Sequence, residues 1–358
     1  MTRTLTVSLL TLGDPGRLTG GYLFHRRIAE LAPANGAGLE FVSFPERPFP
    51  LATLDAPAVL RQARARAPQA LVLDSIAAAY LGPWLLLQPP AIPLIGMLHQ
   101  PPGGIDYGPL RTVAQAALDR LAYRKAVRLL VASESLAEHL VTEGIARSRL
   151  RIVPPGRDVA GVVGPPPGDL RQGRRAAFLC VGNWVERKGI HDLLDAFARL
   201  PDPAAMLHLA GDDRAEPSYA ARLKARLARS DLEGRVMVHG PLSIGAVAAL
   251  YQAADVFVLP SRKEPYGTVY GEAMAFGLPV VGWRAGNLPY LATDGVEGLI
   301  LTPGDLNGLT EALRRLADDE PLRKRLGEAA RKRAQGRPTW AETAALFFGA
   351  IREVLNQA

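Results

Sequence analysis

Two glutamates, Glu264 and Glu272, stand with seven residues between them in the stretch Ser261-Arg-Lys-Glu-Pro-Tyr-Gly-Thr-Val-Tyr-Gly-Glu-Ala-Met-Ala-Phe-Gly277. An apolar run precedes them, and Gly267 onward reads as a helix closed by Gly277 before Pro279-Val-Val begins another strand. Glu264 then lies in the loop ahead of that helix. Glu272 lies one to two turns inside it, with Thr268 at i,i+4 on the same face. In an open parallel sheet such a loop faces the ligand crevice, and the amides that open the helix point at the ligand. Carboxylates are poor partners for phosphate but accept hydrogen bonds from hydroxyls, which leaves the amides near Gly267 and Thr268 to take phosphate charge. A sugar nucleotide carries both groups. The bare spacing also fits a surface salt bridge beside a solvated helix glutamate, so the surrounding residues must decide.

Those surroundings are Glu264-Pro-Tyr-Gly, Glu272-Ala-Met-Ala-Phe-Gly-Leu-Pro-Val-Val, then Gly295, Gly298 and Pro303-Gly304-Asp305. Taken together they resemble the retaining glycosyltransferases of GT-B architecture called glycosyl transferases group 1. The resemblance extends over nearly the whole chain and is strongest from Val181 to Asp305. It implies an α/β fold of two Rossmann-like, doubly wound domains facing across a cleft, with a C-terminal helix that crosses back to the first. It also implies a nucleoside-diphosphate sugar as donor, a UDP-sugar being the first expectation, no cofactor, and a hydroxyl acceptor (glycan, lipid or small molecule) that the sequence does not identify.

Carried over by position, the resemblance puts Glu264 on donor-sugar hydroxyls, Glu272 on the ribose hydroxyls and His99 against the donor sugar, with His99 and Glu264 as the catalytic candidates. Gly20 and Gly21 would close over the diphosphate, and Arg187 and Lys188 would clamp it beside the donor-binding stretch Tyr266, Gly267, Thr268 and Val269. Loss of a diphosphate develops negative charge that an enzyme must stabilise. The sequence holds no Asp-any-Asp triplet for a divalent ion, so fixed cations and the helix start are expected to do this without metal. Asn183, Asn287 and Tyr290 depart from the family pattern. They keep open a non-catalytic nucleotide-sugar-binding relative, with an epimerase-like or phosphorylase enzyme of the same architecture as the other alternative.

The elements that must place these residues alternate. In the first half, strands are expected at 4–10, 70–74 and 93–98, the last ending at His99. A glycine-bearing loop (Gly13, Gly16, Gly20, Gly21) precedes a helix at 22–31, in which His25 reads as packing or solvent-facing. The uncharged stretch 76–98 contains Pro83, Pro89, Pro90 and Pro93, too many for a membrane span. It reads as a helix, an apolar loop around 84–88, and a strand. The segment 1–158, joined by 339–358, forms the expected acceptor-side domain; 159–173, rich in Gly and Pro, the linker; and 174–338 the donor-side domain, where Arg187 and Lys188 open the helix 191–200.

At 358 residues, 48% apolar and 22% charged, the chain suffices for two globular domains. Its single cysteine, Cys180, can form no internal disulfide and fits a reducing cytosol, hence a cytoplasmic expectation. The run 5–12 reads as a first strand, not a signal peptide. A net charge of +7 suits a nucleotide or an anionic membrane surface. The apolar stretch near Trp84 and the basic helix ending at Arg128 fit peripheral membrane contact on the cytosolic face, and ordinary surface arginines explain them equally well. Nucleic acid is not expected, because no aromatic-studded basic run, zinc spacing or recognition helix is present.

Overall fold

Short apolar runs separated by helical patterns build two parallel sheets. In the computed structural model, which describes residues 4–16, 20–157 and 168–357, the chain divides into Met1–Gly156 with Pro338–Ala358, and Arg157–Arg337.

The first unit holds β1 (Leu5–Leu12), β2 (Ala37–Phe44), β3 (Ala70–Asp74), β4 (Leu94–Leu98), β5 (Arg128–Val131) and β6 (Leu150–Ile152). They pair in parallel in the order β2-β1-β3-β4-β5-β6. Its helices are α1 (Gly20–Leu31), α2 (Ala56–Ala65), α3 (Ala78–Leu87), α4 (Pro109–Lys125) and α5 (Glu134–Thr142). Every residue of β3 and β4 is buried, as strands covered by helices on both faces must be. The strand order reverses between β1 and β3, and the crevice at their carboxyl ends is where such sheets bind ligands.

Two expectations fail here. The apolar loop foreseen at 84–88 is largely the second half of α3, which runs through Pro83. Tertiary packing outweighs the local break: a Cβ on Gly82 would lie 2.3 Å from the Leu118 carbonyl of α4, and Trp84 donates its indole N–H to Thr53 O at 2.7 Å. Gly20 and Gly21 likewise belong to the first turn of α1 and not to the loop before it; residues 17–19 lie outside the described residues.

In the second unit, β7 (Ala176–Val181), β8 (Ala205–Ala210), β9 (Val236–Gly240), β10 (Val256–Val258), β11 (Val280–Trp283) and β12 (Gly298–Leu301) form a parallel sheet in the order β12-β11-β10-β7-β8-β9. The reversal falls between β7 and β10. Around the sheet lie α6 (Ile190–Ala198), α7 (Pro217–Leu227), α8 (Ile244–Ala253), α9 (Thr268–Ala275), α10 (Leu288–Leu291), α11 (Leu306–Asp318) and α12 (Glu320–Gln335). Cys180 is buried in this core, and burial pushes its thiol up to about 12, so it packs as a small apolar side chain. Of the linker expected at 159–173, residues 159–167 lie outside the described residues. Its last part docks on the second unit, with Leu170 in the core and Arg171 paired to Asp255 at 2.6 Å.

The chain ends in α13 (Trp340–Gln357), which packs on α1 within the first unit. Phe347 and Phe348 are fully buried, and Thr343 donates to Pro154 O at 2.9 Å. Gly156 makes the close approach possible, because a Cβ there would lie 2.4 Å from the backbone of Trp340. Among the described residues no helix is long and apolar enough to cross a membrane.

One buried acid in this unit yields a stability prediction. Asp119 of α4 accepts from Gly103 N at 2.8 Å, yet its Oδ1 has no partner and burial pushes its carboxyl up to about 7. Between the unfolded carboxylate pKa, about 4, and that value the folded chain binds more protons than the unfolded one, so stability falls as pH rises across the window. Asp119→Asn is expected to stabilise the unit by roughly 2–4 kcal/mol at pH 8 and by little at pH 4. Melting temperatures of both proteins at those two pH values check this.

Candidate active site

The reversal in the second sheet brings the chain after β7 and the chain after β10 to one edge. After β7 a tight turn, Glu186–Lys188, presents Arg187 and Lys188; it is a 3-10 turn, and α6 begins only at Ile190. Gly189 joins them at φ +67°, where a Cβ would lie 2.1 Å from Pro260 O, so glycine is required for the two loops to touch. After β10, Ser261 is buried and its hydroxyl donates to Arg187 O at 3.2 Å, while Arg262 N donates to the same carbonyl at 2.8 Å.

Glu264 is thereby set against both cations. Its carboxylate accepts from Lys188 Nζ at 2.5 Å and lies 3.7 Å from Arg187 Nη1, with the Lys188 and Glu264 side chains only 11% and 13% exposed. Arg187 also donates to Lys263 O at 3.1 Å. The three side chains assigned separately to sugar and phosphate therefore sit together in this structure, with one carboxylate shared between two cations.

Gly267, in the left-handed conformation (φ +81°), turns the loop into α9, which Thr268 opens. Val269 packs beside the core, and its carbonyl accepts from Tyr251 OH at 3.4 Å. Glu272, inside α9, accepts from the same hydroxyl at 3.1 Å. Tyr266 is tied away by its side chain: the Arg337 guanidinium lies over its ring and donates to its hydroxyl.

Asn287, singled out as a departure, turns out to latch this loop. Its backbone N–H donates to Glu264 O at 2.9 Å and its side-chain amide to Tyr266 O at 2.8 Å. Asn183 accepts from Asp212 N at 3.4 Å. Tyr290 is partly exposed, and its carbonyl accepts from Arg333.

The first unit gathers a second group at its own reversal. His99 follows β4; Gly21, in the first turn of α1, has no side chain to cover the His99 ring, and a Cβ there would sit 3.5 Å from Cδ2. Gly20 has nothing within 4 Å of such an atom. Phe24 and His25 each stack edge-on against the His99 ring at 4.8 Å. His25 Nε2 lies 3.1 Å from Asp74 Oδ2, at the end of β3, and both side chains are buried. His25 thus packs inward, one of the two outcomes expected of it, but against His99. Asp74 was missed altogether. Burial alone would raise the Asp74 carboxyl, but His25, His99 and the Thr11 hydroxyl hold it down at about 2. Burial and repulsion from His25 hold His99 at about 3.

Residues 169–333 match the family described as glycosyl transferases group 1, and residues 2–156 match the glycosyl transferase 4-like domain. The chain is 32% identical over 232 residues to a D-inositol 3-phosphate glycosyltransferase of Xylanimonas cellulosilytica, a match spanning 62% of this chain and 55% of that protein. It spans about half the length of the curated relatives it matches. Among solved structures, sucrose-phosphate synthase from Thermosynechococcus elongatus superposes with a TM-score of 0.84 at 21% identity, covering 99% of this chain and 100% of that one. HepE of Anabaena in complex with UDP-glucose gives 0.79 at 22%, covering 98% and 100%. The fold is the two-domain α/β arrangement of GT-B proteins. The second unit thus carries a glycosyl transferases group 1 domain and the first a glycosyl transferase 4-like domain.

Proposed function

We propose that the chain transfers a hexose from a nucleoside-diphosphate sugar to a hydroxyl acceptor with retention of anomeric configuration and without a metal ion. One observation carries this reading: Arg187, Lys188 and Glu264 converge at the switch point of the second sheet, directly ahead of the α9 N-terminus. An arriving diphosphate draws the two cations onto its oxygens, and the amides at Gly267 and Thr268 add backbone donors. Glu264, released from them, accepts from the donor-sugar hydroxyls. Glu272 takes the ribose hydroxyls, and Gly20, Gly21 and His99 complete the sugar and diphosphate contacts.

The bond between the anomeric carbon and the phosphate oxygen breaks, leaving positive charge on the sugar ring and negative charge on the diphosphate. The acceptor oxygen attacks from the same face and its proton passes to the departing phosphate oxygen. The products are the glycosylated acceptor and the nucleoside diphosphate. Tight electrostatic stabilisation of that leaving group is the largest service the protein performs.

Incubation with a panel of nucleotide sugars and hydroxyl acceptors in excess EDTA, followed by product analysis, tests the reading. Release of nucleoside diphosphate with an acceptor-linked sugar of unchanged anomeric configuration supports it. An inverted product, an isomerised nucleotide sugar or strict metal dependence rejects it.

The acceptor side has its own surface feature. Leu51, Leu54, Leu86, Leu87, Leu110 and Val113, each half or more exposed, belong to neighbouring parts of the first unit. Trp84 joins α3 to the turn holding Leu51 and Leu54, and Arg111 of α4 stacks on Phe49 at 5.2 Å. We propose that this apolar band, carrying the Arg47 and Arg111 guanidinium groups, rests on an anionic membrane where a lipid-borne acceptor is presented. Sedimentation with vesicles containing anionic lipid is expected to carry wild-type protein down and to lose it when Leu87 and Leu110 are replaced by glutamate; no binding by the wild type rejects the contact.

A further inference from the structure

The loop that carries Glu264 is held from several sides, and one of these holds has no part in the transfer reaction as described. Ser261 and Arg262 bond it to Arg187 O, and Asn287 donates to the Glu264 and Tyr266 carbonyls. A further hold comes from Arg337, the last residue of the second unit. Its guanidinium lies 5.2 Å over the Tyr266 ring, and its Nη2 donates to the Tyr266 hydroxyl. Gly271 of α9 leaves room for it, because a Cβ there would lie 2.4 Å from Arg337 Nη1. One guanidinium therefore lies against both the ring of the loop and the helix whose first amides are assigned to phosphate.

Arg337 is itself anchored. It follows the end of α12, its backbone N–H donates back to Ala334 O at 3.1 Å, and its carbonyl accepts from Arg157 Nε at 3.0 Å. Arg157 is the first residue of this unit and Arg337 the last, so this bond ties together the points where the chain enters and leaves it. A planar guanidinium that stacks on a ring and donates to its hydroxyl fixes both the place and the tilt of that ring, which an ammonium does not. Only Pro265 separates Tyr266 from Glu264, and its pyrrolidine ring locks one of the backbone torsions between them. So stiff a span passes a displacement of Tyr266 on to Glu264.

We propose that Arg337 is a positioning residue for sugar transfer: by clamping Tyr266 from the chain crossing it sets the Glu264 carboxylate and the opening of α9 for the donor. This deepens the transferase reading above and rests on the assignment of Glu264 to the donor sugar. A role through positive charge alone is a different claim, because a lysine would preserve it.

The test uses the whole protein. Arg337→Met keeps an unbranched side chain but removes the charge and the donors. It is expected to speed amide hydrogen exchange at residues 264 and 266–270 by about tenfold while the amides of β7 and β8 stay as in wild type. It should lower kcat for transfer by about tenfold, as a small misplacement of a reacting group does. Nucleoside diphosphate, gripped from the other loop by Arg187 and Lys188, should bind within about threefold of wild type. Tyr266→Phe keeps the ring and loses the hydrogen bond, with a loss in kcat of about threefold, and the double variant should be no worse than Arg337→Met alone, since both changes remove one contact. Arg337→Lys should recover little. Unchanged exchange in this stretch, full recovery by lysine, or losses that multiply in the double variant would overturn the proposal. Should Arg337→Met fail to fold, Tyr266→Phe and Arg157→Leu carry the exchange measurement, each expected to loosen the same amides to a lesser degree; no loosening in either overturns it as well. Exchange requires no turnover, so a protein that transfers no sugar yet loosens at 264–270 sinks the transferase reading and leaves the clamp standing.

Discussion

Replacing Glu264 by alanine is expected to lower kcat for sugar transfer by about a hundredfold or more, the size of effect seen when one contact made to the transition state is lost. The direction of the accompanying change in nucleotide binding follows from the ion pair. Lys188 Nζ donates to Glu264 at 2.5 Å and Arg187 lies 3.7 Å from it. Removing the carboxylate frees both cations for phosphate, so affinity for the nucleoside diphosphate should hold or tighten while turnover collapses. Steady-state kinetics with calorimetric binding on the same variant separate the two. Near-normal turnover removes Glu264 from the site, and a parallel loss of binding means its role was to hold the fold.

The second large effect concerns a residue that touches no substrate in the account. Gly286 adopts φ +55°, and a Cβ there would meet Glu264 O at 2.4 Å and Glu264 N at 2.8 Å. The obstruction is backbone, so the loop carrying Glu264 must shift. Gly286→Ala is therefore expected to reduce kcat/KM by ten- to a hundredfold, as a misplacement of about 1 Å can. Gly295→Ala supplies the control: φ is +75° but nothing lies within 4 Å of the added atom. It bears similar backbone strain without the clash, and should lose some thermal stability while keeping kcat/KM near wild type. If the two variants lose activity alike, the steric coupling of Gly286 to Glu264 is wrong.

How far sequence reaches can be seen residue by residue. In the second unit the strands after which the site loops emerge were legible because each is an apolar run ended by glycine, proline or serine, and the helix at Gly267 because glycines bracket it. Arg187, Lys188 and Glu264 were legible as residue types at sheet-edge loops. Their mutual ion pair was not, since pairing depends on which strands lie beside each other, and β7 beside β10 is a long-range fact. Pro83 misled because a local breaker was weighed without the α4 backbone that packs at Gly82. The missed pair, His25 and Asp74, had a faint signal. His25 is spaced three residues from Tyr22 and from Ile28 on the buried face of α1, and Asp74 closes a strand otherwise wholly apolar. A polar residue on each of two buried surfaces needs a partner, but their 3.1 Å approach is a contact between a helix and a strand far apart in sequence.

The most direct measurement is calorimetric titration of nucleoside diphosphates and the matching monophosphates, in excess EDTA, into wild type and Lys188→Ala, with melting curves to verify that the variant folds. Fixed protein cations and the α9 amides gripping a diphosphate predict metal-free binding, tighter for diphosphate than monophosphate, with that preference much reduced in Lys188→Ala. Binding that EDTA abolishes in the wild type, or a folded Lys188→Ala that keeps the full diphosphate preference, would contradict it.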